Sequence, residues 1–337
     1  MNQIVQTLEQ ILKINSPSGY TIDIINHIES LFKNKNLVIN KTNKGSLLIT
    51  FNNEPELVLS AHIDTLGAMV KEIKSDGTLA ISELGGYPLT SFEGEYVTIR
   101  NNRGITYRGT FLLNNPAAHV NKNVGTEKRE LDKMSIRLDE LVTKTEEVKK
   151  LGIKVGDFVF YDTRFEYTKS GFVKSRFLDD KACAAVMIEL IKNLLKKRYK
   201  GKIGFYFSNY EEVGHGARVG IPHSTKELLV LDMAVIGEGC SGKEDAVSIC
   251  VKDSSGPYDF TVTNKLRKLA SGKRINCVTD IYPYYGSDGS AALSAGYDLR
   301  VGLIGPGVSA SHGVERTHEK ALNETYKLAL AYIESIK

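Results

Sequence analysis

Apolar residues recur at helical spacing over residues 3–12 and again over 22–32, with the polar break Asn15-Ser-Pro-Ser-Gly19 between the two stretches. After these helices the apolar runs shorten. Residues 46–51 and 57–61 read as strands, separated by Asn52-Asn-Glu-Pro55, and the second ends at His62. From 67 to 165 the pattern becomes alternation broken by frequent glycines, with strands expected over 93–100 and 152–160, which predicts a β-rich insertion. Inside it, 126–151 is densely charged, and 142–151 is expected to form a surface helix laced with i,i+4 pairs. After Lys174 helices and strands alternate again: a helix over 180–195, a buried strand over 202–208, strands over 228–236 and 299–304, and a closing helix over 319–336.

This order implies an α/β fold with a mixed, mostly parallel sheet covered by helices on both faces. The α/β domain is expected in two parts, 1–66 and 166–337, around the inserted domain 67–165. A chain of 337 residues exceeds what one core usually supports, which favours two domains or one with a large insertion, and its 42% hydrophobic content suffices for a proper core. Lysines are interspersed with acids and the net charge is only +4, which argues against a nucleic-acid partner. The four cysteines, Cys183, Cys240, Cys250 and Cys277, have no C-x-x-C or zinc-finger spacing and read as reduced and structural. The N-terminal segment reads as an amphipathic helix rather than a leader, and no apolar run reaches the length of a membrane span. A cytoplasmic protein with no membrane partner is the expectation.

The chemistry concentrates in acids and histidines placed where strands end. Glu211 and Glu212 lie where the run from Ile203 breaks into a glycine-containing turn. Adjacent carboxylates repel, so a compensating cation is expected. A divalent metal suits them: one carboxylate binds it while the other takes a proton from metal-bound water. His62 and Asp64, at i and i+2 of an extended segment, share one side, so that Asp64 can hold the imidazole's other nitrogen. Asp179 and Asp180 open an apolar helix, where they either cap it or bridge two metals. Asp232 interrupts an apolar run and needs a partner, either a metal or a buried basic group. His312 and His318 fall close together after the last strand, one of them expected to be structural, while His27, His215 and His223 read as helix-face or turn residues. Ser309 and Ser311 raise a serine nucleophile, but no G-x-S-x-G elbow accompanies them.

In this order the clusters resemble the dinuclear metallo-aminopeptidases that assemble into tetrahedral particles, also known as glutamyl aminopeptidases or cellulase M. Ser16-Pro-Ser-Gly19, Ala61-His-Ile-Asp-Thr-Leu-Gly67, Gly85-Gly86, Asn115-Pro-Ala-Ala-His119, Gly152-Ile-Lys-Val-Gly-Asp157, Leu178-Asp-Asp180, Glu211-Glu-Val-Gly214, Gly286-Ser-Asp288 and Ser311-His312 carry the resemblance nearly end to end. It implies that His62 and Asp232 hold one metal, Glu212 and His312 the other, and that Asp179 bridges them. It makes Glu211 the general base, Asp64 the residue that orients His62, and the insertion a domain for subunit contacts and for shaping the substrate pocket. The chain departs from the family pattern at Lys181, at the turn around His215 and after His312, where Gly313-Val-Glu-Arg replaces a serine-containing form.

The resemblance therefore implies an aminopeptidase acting on short peptides through two divalent ions, zinc or cobalt foremost, that hold a bridging hydroxide. It also implies a homo-oligomer, such as a tetrahedral dodecamer. A deacylase of N-acyl amino acids could use the same ligands, and a non-catalytic peptide-binding assembly could keep the same fold. A glycosidase is disfavoured, because neighbours such as Glu211 and Glu212 are poorly placed to flank a sugar bond at about 5 Å or more.

Overall fold

The computed structural model describes residues 2–33 and 35–336, which form two compact units, one of Met1–Thr65 with Arg164–Lys337 and the other Leu66–Thr163. The divisions fall before Leu66 and after Thr163, a little earlier than the expected 67 and 165.

The first unit is built on a large mixed sheet. Four parallel strands make its centre, in the order Ile203–Ser208, Leu57–His62, Glu227–Leu231 and Arg300–Ser309. All six residues of Leu57–His62 and of Ile203–Ser208 are buried, as covering on both faces requires. The sheet is parallel at its centre and largely antiparallel outward: Leu47–Thr50 joins Ile203–Ser208 antiparallel, and Glu315–His318 joins Phe172–Ser175 in the same sense. Helices Gln3–Leu12, Leu178–Lys196 and Glu319–Glu334 pack against one another, the second also against the central strands. Every position of Leu178–Lys196 up to Ile191 is buried, including Lys181, whose Nζ donates to the carbonyls of Ile11 and Ile14 at 3.1 and 2.6 Å.

The strand expected over 228–236 is two strands, Glu227–Leu231 and Ala234–Ile236, both paired with Arg300–Ser309. The ladder breaks at Asp232 and Met233 because the Asp232 carbonyl closes onto Gly305, where any Cβ would overlap it. No element was expected between Ile236 and the last strand, yet the segment forms the strands Val247–Asp253 and Cys277–Ile281 and the helices Phe260–Gly272 and Asp288–Ser294. Helix Phe260–Gly272 buries only Val262, Thr263, Leu266 and Ala270, too narrow a stripe to stand out among its polar neighbours.

The second unit is a closed barrel of six strands: Gly67–Ile73, Leu79–Leu84, Met134–Leu138, Thr106–Leu113, Tyr96–Arg100 and Phe158–Tyr161. Val70, Ile81, Val97, Ile99, Phe111, Ile136 and Val159 fill it. The strand expected over 152–160 forms only at Phe158–Tyr161, since Gly152 (φ 84°) and Gly156 (φ 91°) turn the chain before it. The surface helix is shorter than expected, Thr145–Lys150. Among the described residues, no helix is long and apolar enough to cross a membrane.

Candidate metal and catalytic centre

The four parallel strands end together, and their carboxyl ends deliver the chemistry. Ser208 lies in register with His62, so the turn that follows Ser208 carries Glu211 and Glu212 over the end of the His62 strand. Asp232 directly follows Glu227–Leu231, and its N–H donates to the Ile304 carbonyl at 3.1 Å. His312 lies three residues past Arg300–Ser309, with φ 60°. Convergence at the carboxyl ends of an open α/β sheet is where such folds place ligands.

Asp179 and Asp180 hold non-helical dihedrals at the mouth of their helix, and capping does not occupy them. Asp179 turns Oδ1 toward His62 Nε2 at 3.0 Å and Oδ2 toward His312 Nε2 at 3.5 Å. Glu212 Oε2 lies 3.6 Å from the same His312 nitrogen, and Glu211 Oε2 lies 3.7 Å from His62 Nε2. Single atoms of His62, Asp180 and Asp232 lie within 4.8 Å of one another, and so do atoms of His62, Asp179 and Glu212.

His62 is oriented differently from expectation. Its Nδ1 lies 2.9 Å from the backbone carbonyl of Asp64, while the Asp64 carboxylate stands 3.8 Å away. A carbonyl can only accept, so Nδ1 carries a proton and Nε2 faces the acids. The Asp64 carboxylate serves the neighbouring turn instead. It accepts the backbone N–H groups of Glu211 at 3.1 Å and Glu212 at 3.4 Å, and the Ser18 hydroxyl at 2.5 Å. Lys44 holds the far side of that turn, donating to the carbonyls of His215 and Gly216 at 2.8 and 2.5 Å.

The electrostatics call for positive charge. Burial and Asp179 push Asp232 up to about 8. Burial likewise drives Glu211, Glu212 and Asp180 well above the carboxylate range, reinforced by like charge from Asp232 and Asp179. Burial opposes the charge on His62, but Glu211 and Asp179 outweigh it and raise the imidazole. Asp179 is also penalised by burial, yet His312 and His62 hold it below its ordinary value. Both Asp180 oxygens and Glu212 Oε1 are buried without a hydrogen-bond partner. Orphaned buried oxygens beside two imidazole nitrogens are a donor set that suits divalent ions of intermediate softness.

Asp179, Glu211, Glu212, Asp232 and His312 line a cavity of about 490 Å³ together with Arg218, Tyr284, Tyr285, Ser290 and Ser294 among others. A larger cleft of about 960 Å³ beside Thr225, Tyr297 and Arg300 contains none of the acid and histidine cluster, so size alone does not locate the chemistry. Neither His318 nor His215 belongs to the candidate metal groups. His318 accepts from Lys320 N–H and caps the closing helix, and His215 is an exposed turn residue whose N–H bonds the Tyr210 carbonyl.

Sequence reasoning gave no role to Glu315, a buried carboxylate that accepts the backbone N–H groups of Asp179 and His312. Its only sequence signal is its place three residues after His312, because its other partner is 136 residues away. Burial and Asp179 push Glu315 up to about 8.

A sheet with a parallel centre, a separate barrel, and a carboxylate and imidazole cluster at the strand ends define an α/β protein with a candidate metal centre. The chain belongs to the M42 glutamyl aminopeptidase family, which it matches over residues 45–328. It is 44% identical over 340 residues to "Putative aminopeptidase YhfE" of Bacillus subtilis (strain 168), covering 99% of this chain and 98% of that one. Its fold is similar to the Pyrococcus horikoshii TET1 peptidase, described as able to assemble into a tetrahedron or a large octahedral shell, with TM-score 0.87, 22% identity, and 97% and 98% of the two chains covered. The TET aminopeptidase of the marine sediment archaeon Thaumarchaeota archaeon SCGC AB-539-E09 is similar with TM-score 0.89, 17% identity and coverage of 99% and 96%.

Proposed function

We propose that this protein is a metal-dependent aminopeptidase that removes N-terminal residues from short peptides, using two divalent ions of the zinc or cobalt type. The observation that carries this reading is the Asp179 carboxylate, which divides its oxygens between His62 and His312 as a bridging ligand would. His62 and Asp232 are assigned to one ion, Glu212 and His312 to the other, and Asp179 to both. Ions bound there supply Lewis-acid polarisation of the scissile carbonyl and acidify water.

The chain's own residues do the rest. Glu211, whose carboxyl burial and neighbouring acids push well above its ordinary value, takes the proton of the attacking water and returns it to the leaving amine. A carboxylate whose pKa is raised takes up a proton more readily than an ordinary one. The acidic wall receives the cationic N-terminus of the substrate, which makes a free amine a requirement and the enzyme an exopeptidase. Asp64 serves by fixing the backbone beneath Glu211 and Glu212. The barrel Leu66–Thr163 is assigned to subunit contacts in a homo-oligomer and to shaping the substrate pocket; light scattering of the purified protein tests that assembly.

The test is hydrolysis of matched free-amine and N-acetylated aminoacyl and dipeptide substrates by chelated protein resupplied with zinc, cobalt or manganese. Metal-restored cleavage of the free-amine set alone is expected. Cleavage confined to the blocked set would make the protein a deacylase, and no cleavage with any metal would leave a peptide-binding protein.

A further inference from the structure

Glu315 is 1% exposed and plays no part in the chemistry above, yet its two oxygens are divided between two of the assigned ligands. Oε2 accepts the Asp179 backbone N–H at 3.1 Å, and Oε1 accepts that of His312 at 3.0 Å. The side chains of those same residues face each other at 3.5 Å.

Both N–H groups belong to backbone that has left regular structure. Asp179 has φ −73° and ψ 107° at the irregular mouth of its helix, and His312 has φ 60° in a turn closed by Gly313 N–H on the Ala310 carbonyl at 3.0 Å. The Asp179 N–H is buried and needs an acceptor, and the left-handed backbone of half-buried His312 needs something to hold it there. Glu315 supplies both needs from a rigid base. It opens the strand Glu315–His318, where it pairs with Ser175, four residues before Asp179 on the neighbouring strand's continuation.

We propose that Glu315 is a positioning residue: it sets the spacing between Asp179 and His312, and through it the affinity for the ion those two residues share. The proposal rests on the ligand assignment above. A carboxylate is required because two donors need two acceptor oxygens. Glutamine offers one oxygen and would turn an NH2 group onto the second N–H, and aspartate is one methylene too short to reach both.

The experiment is a two-step titration of chelated protein with cobalt or zinc against a competing chromophoric chelator, for the unmodified protein, E315Q and E315D, with thermal unfolding of each metal-free form. In both variants the equivalent held by Asp179 and His312 together is expected to weaken by about 10–100-fold and the other, which shares only Asp179, by clearly less, with the metal-free melting temperature little changed. The cobalt absorption spectrum of the weakened equivalent is expected to shift, a change that a purely structural role would not produce. E315D retains the charge and gives the same readout if E315Q does not fold. Two unaltered steps in both variants overturn the proposal, as does equal weakening of both steps accompanied by a lower metal-free melting temperature. If the unmodified protein takes up no metal, the ligand assignment itself fails and this proposal with it, an outcome distinct from normal uptake that is insensitive to position 315.

Discussion

Asp64 grips Glu211 by its backbone N–H at 3.1 Å across 147 residues of chain, and its other carboxylate oxygen reaches the N–H of Glu212 at 3.4 Å. The same residue's backbone carbonyl holds His62 Nδ1 at 2.9 Å. Side chain and main chain of one residue therefore support different parts of the site, and the two roles can be separated by mutation.

Replacing Asp64 with Asn leaves the carbonyl on His62 untouched and turns one of the two carboxylate oxygens beneath the Glu211 turn into an NH2 group that cannot accept. Turnover is expected to fall about 10–100-fold, a usual range for groups that orient an active centre through another residue. Metal affinity at the His62 side should hold. Steady-state kinetics beside metal titration checks this; loss of the first metal equivalent would mean that the carboxylate, not the carbonyl, orients the imidazole.

Glu211→Gln keeps the side chain's size and removes its capacity to take a proton. Its kcat is expected to drop by about 10²–10⁴-fold, the range for a lost general base. Metal content by elemental analysis should match the unmodified protein. Retention of most of the activity would remove Glu211 from the role of base.

Chelation should make stability depend on pH. Asp232 and Glu315 are pushed up to about 8 in the folded protein by burial and by Asp179, whereas carboxyls of an unfolded chain titrate near about 4. Between those values the folded form binds more protons than the unfolded one, so stability is fullest at the acid end and declines as pH rises toward about 8. His62, also raised, acts in the same direction. Thermal unfolding of chelated protein from about pH 5 to about pH 8 should show a falling melting temperature, with a smaller fall in metal-loaded protein, where cations replace the protons. A chelated melting temperature that is flat, or that climbs with pH, would contradict the buried-acid description.

Gly305→Ala probes the broken strand. Its new Cβ would overlap the Asp232 carbonyl, so Asp232 or the strand Arg300–Ser309 must shift. A destabilisation of about 1–3 kcal/mol, typical of overpacking a filled interior, is expected in denaturant unfolding. Metal uptake should weaken as well, because Asp232 moves with its backbone. Unchanged stability and uptake would show that the contact is slack.

Periodicity alone located the first two helices, the strands carrying His62 and those leading to Glu211 and Asp232, the long buried helix and the closing one. Each has an uninterrupted apolar face, and burial on one or both sides leaves that mark in the chain. Helix Phe260–Gly272 and the segment around it stayed unread because a half-exposed helix with a narrow stripe looks like polar loop. The acids and histidines at strand ends were legible as residue types in suggestive places. Their resemblance to one family joined them into a set, whereas spacing alone left capping, salt-bridge and ligand roles open for each.

By itself, then, the sequence determined the elements with a full apolar face, and that acids and imidazoles cluster where strands finish, because local propensity and alternation act over a few residues. Only the tertiary structure decided which oxygen faces which nitrogen. That Asp64 supports Glu211 by its carboxylate and His62 by its carbonyl, and that Glu315 joins Asp179 to His312, depends on contacts of about 3 Å between segments far apart in the chain. Such contacts follow from strand order and register, for which no single stretch of sequence carries a local signal.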